Sequence, residues 1–254
     1  MVSDNIALLA ERQYRNSVPR AVASLLKMIV ERPTEQRTKL YYDLYVPDDG
    51  SSEARPLLIA LHGYEGNKES MMALARRVNS SELIIASVQG PNAFFLRDGE
   101  PGKTSAPKIG FGWMMQYKAE ETIALHHRTL LSIIEEIGTE HAVDSIFLLA
   151  FSQSVSLNYR FAFTNPGLIR GVIAVCGGIP GDWDQDKYHK CDTDVLIIAG
   201  ETDEFYPPSR TRTFKDAMAK RARSVEYKCL PVGHVFPRES LPIIGNWIKE
   251  RISK

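Results

Sequence analysis

Six short apolar runs punctuate the chain from residue 57 onward: "LLIALHG", "LIIASVQGP", "SIFLLAFS", "GVIAVCGG", "DVLIIAGE" and "VEYKCLPVG". All but the last, where Glu226 and Lys228 alternate with apolar residues, hold a continuous apolar stretch, which marks a strand covered on both faces. Between them lie stretches whose apolar residues recur three or four apart, near 67–79, 118–137, 154–164 and 208–222, with a last one near 239–252. That period predicts helices. Strands alternating with helices predict an α/β fold, a mostly parallel central sheet with helices on both faces. Upstream, residues 3–16 predict a short amphipathic helix, and "ASLLKMIVER" and "KLYYDLYVP" predict two strands joined by the polar turn "PTEQRT". No repeat and no shift of composition divides the chain, so a single domain is expected over 1–254, with 1–32 as an N-terminal extension.

One stretch breaks the regularity. Residues 90–117, "GPNAFFLRDGEPGKTSAPKIGFGWMMQY", are rich in Gly and Pro and hold Phe94, Phe95, Phe111 and Trp113. An unstructured connection of that length is usually functional, and its aromatics point to a substrate-site loop.

Composition narrows what such a fold does. The 254 residues are 44% hydrophobic and 24% charged, and 31 Lys+Arg balance 31 Asp+Glu. No long basic run recommends a nucleic-acid partner. No apolar run approaches the roughly 18 residues that span a bilayer. The N-terminus lacks the basic start and long apolar region of a secretory signal. Cys176, Cys191 and Cys229 are widely spaced with no CxxC, as in a protein of the reducing cytoplasm. No His/Asp cluster suggests a metal; the adjacent His126 and His127 are read as pointing to opposite sides of a helix.

The candidate chemistry sits where strands end. In "LLAFSQSVSL" an apolar strand runs straight into Ser152. In a parallel sheet, ligands gather at the C-terminal strand ends. The serine is either the cap of the following helix or a nucleophile on a sharp strand-to-helix turn, here A-x-S-x-S with Ala150 and Ser154 as the small flanking residues. Three further segments decide for the nucleophile. "LLIALHGYEGN" ends a strand at His62-Gly63, and the loop beyond it can aim the Tyr64 N–H at an oxyanion, together with the Gln153 N–H beside the serine. "DVLIIAGETDEFYPP" places Asp203 three residues past Gly200, and "LPVGHVFP" places His234 after the last strand. The resulting order, Ser152…Asp203…His234, differs from that of the other serine hydrolases. Asp182, Asp184 and Asp186 follow an earlier strand as rival acids, in a loop read as solvated. His126, His127, His141 and His189 are read as surface or packing residues.

"LHGYEGN", "AFSQS", "GETDEFYPP" and "GHVFP" resemble the phospholipase/carboxylesterase family of α/β-hydrolases over roughly residues 35–252. "GFGWM" resembles that family's tryptophan-bearing segment beside the site. The resemblance implies the α/β-hydrolase fold, hydrolysis of carboxylic esters or thioesters through an acyl-enzyme, a small-molecule ester as partner, and no metal or organic cofactor. Ser152 is then expected as nucleophile, His234 as base and Asp203 as acid. Tyr64 and Gln153 supply the oxyanion hole, and Phe111, Trp113, Phe205 and Val235 the substrate contacts. An acyl-protein thioesterase, a peptidase on the same triad and a ligand-binding homologue without turnover are the alternatives. Ala150 and Ser154, where the usual motif has glycine, and Tyr64-Glu65 in the early loop depart from the family pattern.

Overall fold

The computed structural model describes residues 31–35, 38–79, 81–96 and 108–252. The chain divides into two units, 1–39 and 40–254. Within the first, the described residues form neither helix nor strand. The helix expected over 3–16, and all but the last two residues of the strand expected over 23–32, lie outside the described residues.

The second unit is built on a seven-stranded sheet. Its strands are β1 (Tyr42–Tyr45), β2 (Arg55–Leu61), β3 (Ile84–Val88), β6 (Val143–Phe151), β7 (Gly171–Val175), β8 (Asp194–Gly200) and β9 (Ser224–Leu230). The spatial order is β1-β3-β2-β6-β7-β8-β9. Every neighbouring pair is parallel except β1 with β3, where Tyr42 faces Val88 and Tyr45 faces Ile85. The helices are α1 (Lys68–Asn79), α2 (Ala119–Glu140), α3 (Gln153–Thr164), α4 (Pro208–Ala219) and α5 (Ser240–Ile252).

Why the strand runs are continuously apolar follows from the core. Successive side chains of a strand point to opposite faces, and both faces are covered here. Leu57, Ile59 and Leu61 of β2 pack with Leu130 and Ile133 of α2, Val155 and Phe161 of α3 and Met218 of α4. Leu58 and Ala60, one residue out of phase, pack with Met71 and Ala75 of α1 and Leu241, Ile244 and Trp247 of α5. Each fully buried Leu or Ile contributes about 1.5–3 kcal/mol.

The 90–117 segment is not wholly irregular. It contains a small antiparallel sheet of β4 (Asn92–Phe95) and β5 (Ile109–Gly112), with Asn92 opposite Gly112 and Phe95 opposite Ile109. Topology then locates the site. Strand order runs outward in one direction from β2 and in the other from β6, so a crevice opens between the ends of these two strands. Ser152 directly follows β6.

Candidate active site

Ser152 holds φ 54° and ψ −113°, a backbone conformation that residues with a Cβ rarely adopt. Such a conformation costs on the order of 1–3 kcal/mol and persists only where the surroundings impose it. Here they do. The Ser152 N–H donates to the Val175 carbonyl at 2.9 Å, and the Val155 N–H returns to the Ser152 carbonyl at 3.1 Å. Gly177 leaves room for the turn, since a Cβ there would lie 2.4 Å from Val155 Cβ and 2.8 Å from the Ser152 carbonyl oxygen. The Ser152 side chain makes no capping bond to α3. Its Oγ lies 2.8 Å from His234 Nε2 instead.

The other ring nitrogen of His234, Nδ1, lies 3.0 and 3.1 Å from the two Asp203 oxygens. That carboxylate fixes the ring hydrogen on Nδ1, which leaves the Nε2 lone pair facing the serine hydroxyl. Phe151 stacks on the imidazole at 5.4 Å between centroids, and Phe205 meets it edge-on at 4.8 Å. Asp203 is buried and accepts the Phe205 and Tyr206 N–H groups, each at 2.9 Å. Burial acts to raise its pKa, but the bonds from His234 and these amides hold it below the usual carboxylate value. Behind it, the buried Cys176 thiol donates to the Val235 carbonyl at 3.5 Å, and burial followed by the nearby Asp203 charge pushes the thiol up to about 12. Gly200 permits the close approach of β8 to the His234 loop, because a Cβ there would lie 2.5 Å from the Val232 carbonyl oxygen.

Tyr64 and Gln153, the residues expected to supply backbone donors, both border the cavity beside Ser152. Residues 63–66 form a turn closed by the Gly66 N–H on the Gly63 carbonyl at 3.1 Å, with Glu65 at φ 67°. The Tyr64 N–H plays no part in that closing bond. The Gln153 N–H is the first of α3 and has no intrahelical acceptor. His62 braces the loop from beneath: Nδ1 donates to the Gly63 carbonyl at 2.7 Å, and Nε2 accepts the Gly90 N–H at 2.9 Å. Burial lowers its pKa, consistent with a neutral ring.

These groups open onto a cavity of 790 Å³, lined by Ser152, His234, Tyr64, Gln153, Phe205 and Arg210 among others. Trp113, expected as a substrate contact, is instead 2% exposed. Its indole N–H donates to the His62 carbonyl at 2.9 Å, and its backbone N–H to the Gln153 side-chain oxygen at 2.7 Å. It is a brace under the loops. Phe111 and Val235 do not border the cavity either. Phe111 is tied through its N–H to the Gly66 carbonyl at 3.2 Å. Phe205 does border it, 61% exposed.

The family model of phospholipases/carboxylesterases matches residues 48–252. This chain belongs to the phospholipase/carboxylesterase family. Solved structures agree in fold. The Bacillus cereus carboxylesterase is 18% identical with a TM-score of 0.64, over 84% of this chain and 94% of that one. A Mesorhizobium loti carboxylesterase is 19% identical with a TM-score of 0.63, over 83% and 94%. No curated protein matches the sequence.

Within this α/β-hydrolase fold, the departures from the family's glycines have local explanations. Ala150 is fully buried in β6, opposite Leu61 and Ala174. The buried Ser154 hydroxyl lies 3.1 Å from the Leu61 carbonyl oxygen and 3.0 Å from that of Phe151. The single hydroxyl hydrogen is shared between two strand-end carbonyls, a donor that a glycine would lack. The rival acids fall elsewhere. Asp184 and Asp186 are exposed, but Asp182 is not in a solvated loop as expected: it pairs with Arg160 at 2.7 Å and Lys187 at 2.6 Å beside the buried Trp183. Despite partial burial, those cations and the Tyr188 hydroxyl hold its pKa well down.

His126 and His127 also differ from expectation. Their rings lie 5.7 Å apart, and both meet Phe161 edge-on. Among the described residues no group of three or more His, Cys, Asp or Glu is arranged to hold a metal, and no helix is long and apolar enough to cross a membrane. Residues at the cavity that the sequence did not single out are Phe151, Tyr206 and Arg210, and Glu65, noted only as a departure from the family pattern, borders it too. The signal for Tyr206 and Arg210 was their place just after the strand-end aspartate.

Proposed function

We propose that this protein is a serine hydrolase that cleaves carboxylic esters or thioesters through an acyl-enzyme on Ser152. The observation that carries the reading is the continuous chain from Ser152 Oγ to His234 Nε2 at 2.8 Å and from His234 Nδ1 to Asp203 at 3.0 Å, mounted on a strained serine that caps nothing. A serine hydroxyl is a weak nucleophile until a base takes its proton. His234 takes that proton as Oγ attacks the acyl carbon, and Asp203 orients the ring and stabilises the imidazolium. The Tyr64 and Gln153 N–H groups receive the negative charge that develops on the carbonyl oxygen; one such donor is worth about 10²–10³ in kcat. His234 then gives its proton to the leaving group and activates the water that releases the acid. The unpaired Cys176, Cys191 and Cys229 support a reducing, cytoplasmic setting.

The test joins a fluorophosphonate probe to a substrate panel of p-nitrophenyl esters, thioesters and peptides of graded size. One covalent adduct is expected, on Ser152, and Ser152→Ala should lose it along with about 10⁴ or more of kcat. Full labelling of the alanine variant would reject the assignment. Hydrolysis of peptides in preference to esters would move the activity to the peptidase alternative.

A further inference from the structure

Arg210 is the cation of the cavity wall that the chemistry above leaves unused. Among the described residues no carboxylate pairs with it, whereas Arg55, Arg160, Arg170, Arg223 and Arg251 are each held by Asp or Glu. Its guanidinium is held by rings instead, 5.7 Å from the Tyr206 centroid and 5.6 Å from that of Phe214. These ring contacts use none of its N–H groups, which stay able to bind an anion bidentately.

The support beneath Arg210 is continuous with the proposed triad. Asp203 accepts the Tyr206 N–H at 2.9 Å. The Tyr206 ring sits where Gly178 makes room, since a Cβ there would be 2.8 Å from its Cε1. Pro207 and Pro208 then start α4, with the Arg210 N–H on the Pro207 carbonyl at 2.9 Å. Arg210 thus stands in the first turn of the helix, whose positive end adds to its own charge. Among the described residues the other charged side chain on the cavity wall is Glu65, on the 63–66 turn. Asp203 itself is sealed, with its side chain 0% exposed.

We propose that Arg210 is the anion anchor of this cavity, so that the preferred substrate is an ester carrying a carboxylate or phosphate close to the scissile bond. The proposal rests on the ester-hydrolase reading given above. The acidic group binds Arg210, and Glu65 on the 63–66 turn disfavours an anion beside itself. An anion there displaces water from a free guanidinium without breaking an existing ion pair, so its binding energy is not offset by a lost partner.

Matched substrate pairs test this. p-Nitrophenyl hemisuccinate against p-nitrophenyl butyrate probes an acyl-side carboxylate; acetylated 3-hydroxypropyl phosphate against propyl acetate probes an alcohol-side phosphate. In the wild-type protein one charged ester is expected to exceed its neutral partner by about tenfold in kcat/KM, the size of one charge-assisted hydrogen bond. The pair that shows the preference identifies the group. Arg210→Gln should bring that ratio near unity and Arg210→Glu below it, while Arg212→Gln, an exposed cation on the same helix, should keep it. Thermal melts check that each variant is folded. A wild-type ratio at or below one for both pairs, or a ratio that survives Arg210→Gln, overturns the anchor. If the wild type turns over neutral esters and labels at Ser152 but shows no such preference, only the anchor fails. If it does neither, the hydrolase reading fails, and calorimetric titration with succinate and inorganic phosphate decides the anchor: binding weakened about tenfold in Arg210→Gln supports it, and no wild-type binding overturns it.

Discussion

Ser152, His234 and Asp203 owe their arrangement to small residues and backbone donors more than to one another. The hydroxyl of Ser154 and the missing side chain of Gly177 hold the serine turn, and two amide N–H groups hold the Asp203 carboxylate. The acid is therefore testable apart from the fold. Asp203→Asn keeps the amide contacts but offers His234 the wrong hydrogen-bond polarity on one of its two oxygens, misorienting the imidazole. A loss of about 10⁴ in kcat near neutral pH is expected, with an unchanged melt. Asp182→Asn should do the reverse, lowering the melting temperature through its weakened pairs with Arg160 and Lys187 while kcat holds. Steady-state kinetics and melts on the two variants decide between them; an inactive Asp182→Asn beside an active Asp203→Asn would transfer the acid role.

At the scale of elements, the helices and parallel strands were legible because burial on both sheet faces forces unbroken apolar runs, as in β6 and β8. The β4–β5 pair was not. Its strands are four residues each, β5 contains Gly110 and Gly112, and they lie far apart within a Gly- and Pro-rich stretch. Trp113 was misread for a related reason. An aromatic residue in a long loop looks like a ligand contact until its N–H finds a buried acceptor, here the His62 carbonyl, which no sequence period marks. Likewise, adjacent helical residues are separated by about 100° rather than 180°, so His126 and His127 can both turn toward α3. Trp113→Ala should accordingly cost about 3–5 kcal/mol of stability and lower all esters together. Phe205→Ala, at the cavity wall, should reorder the acyl-length preference instead. A kcat/KM series over acyl length with parallel melts checks both, and a changed ranking in Trp113→Ala would restore it as a substrate contact.

Across the whole molecule, the group least suited to its surroundings is His126. It is buried against Trp113 and Phe161, and its ring nitrogens make no well-formed hydrogen bond among the described residues, the buried Asn158 amide nearby being a weak polar neighbour. Burial, then the neighbouring His127, drives its pKa down to about 3. His127 is lowered to about 4, by burial first and then by Arg160 and Lys187. Both rings are therefore neutral in the folded chain, while in the unfolded chain they take up protons below their ordinary value of about 6.5. The unfolded state then binds more protons, so stability is fully present above that value and is lost as pH falls toward the folded values. For His126 the loss between about pH 7 and pH 5 is about 2 kcal/mol. His126→Leu removes the titrating group and its unsatisfied nitrogens together. Its melting temperature at neutral pH should match or exceed the wild type, since the two unpaired ring nitrogens of His126 are removed. The drop in melting temperature over the same pH interval should shrink by about 4–8 °C. Identical pH slopes in the two proteins would show that the acid sensitivity lies elsewhere, in carboxylates such as Asp182 and Asp203 whose folded values are lowered and whose stabilisation fades as they protonate.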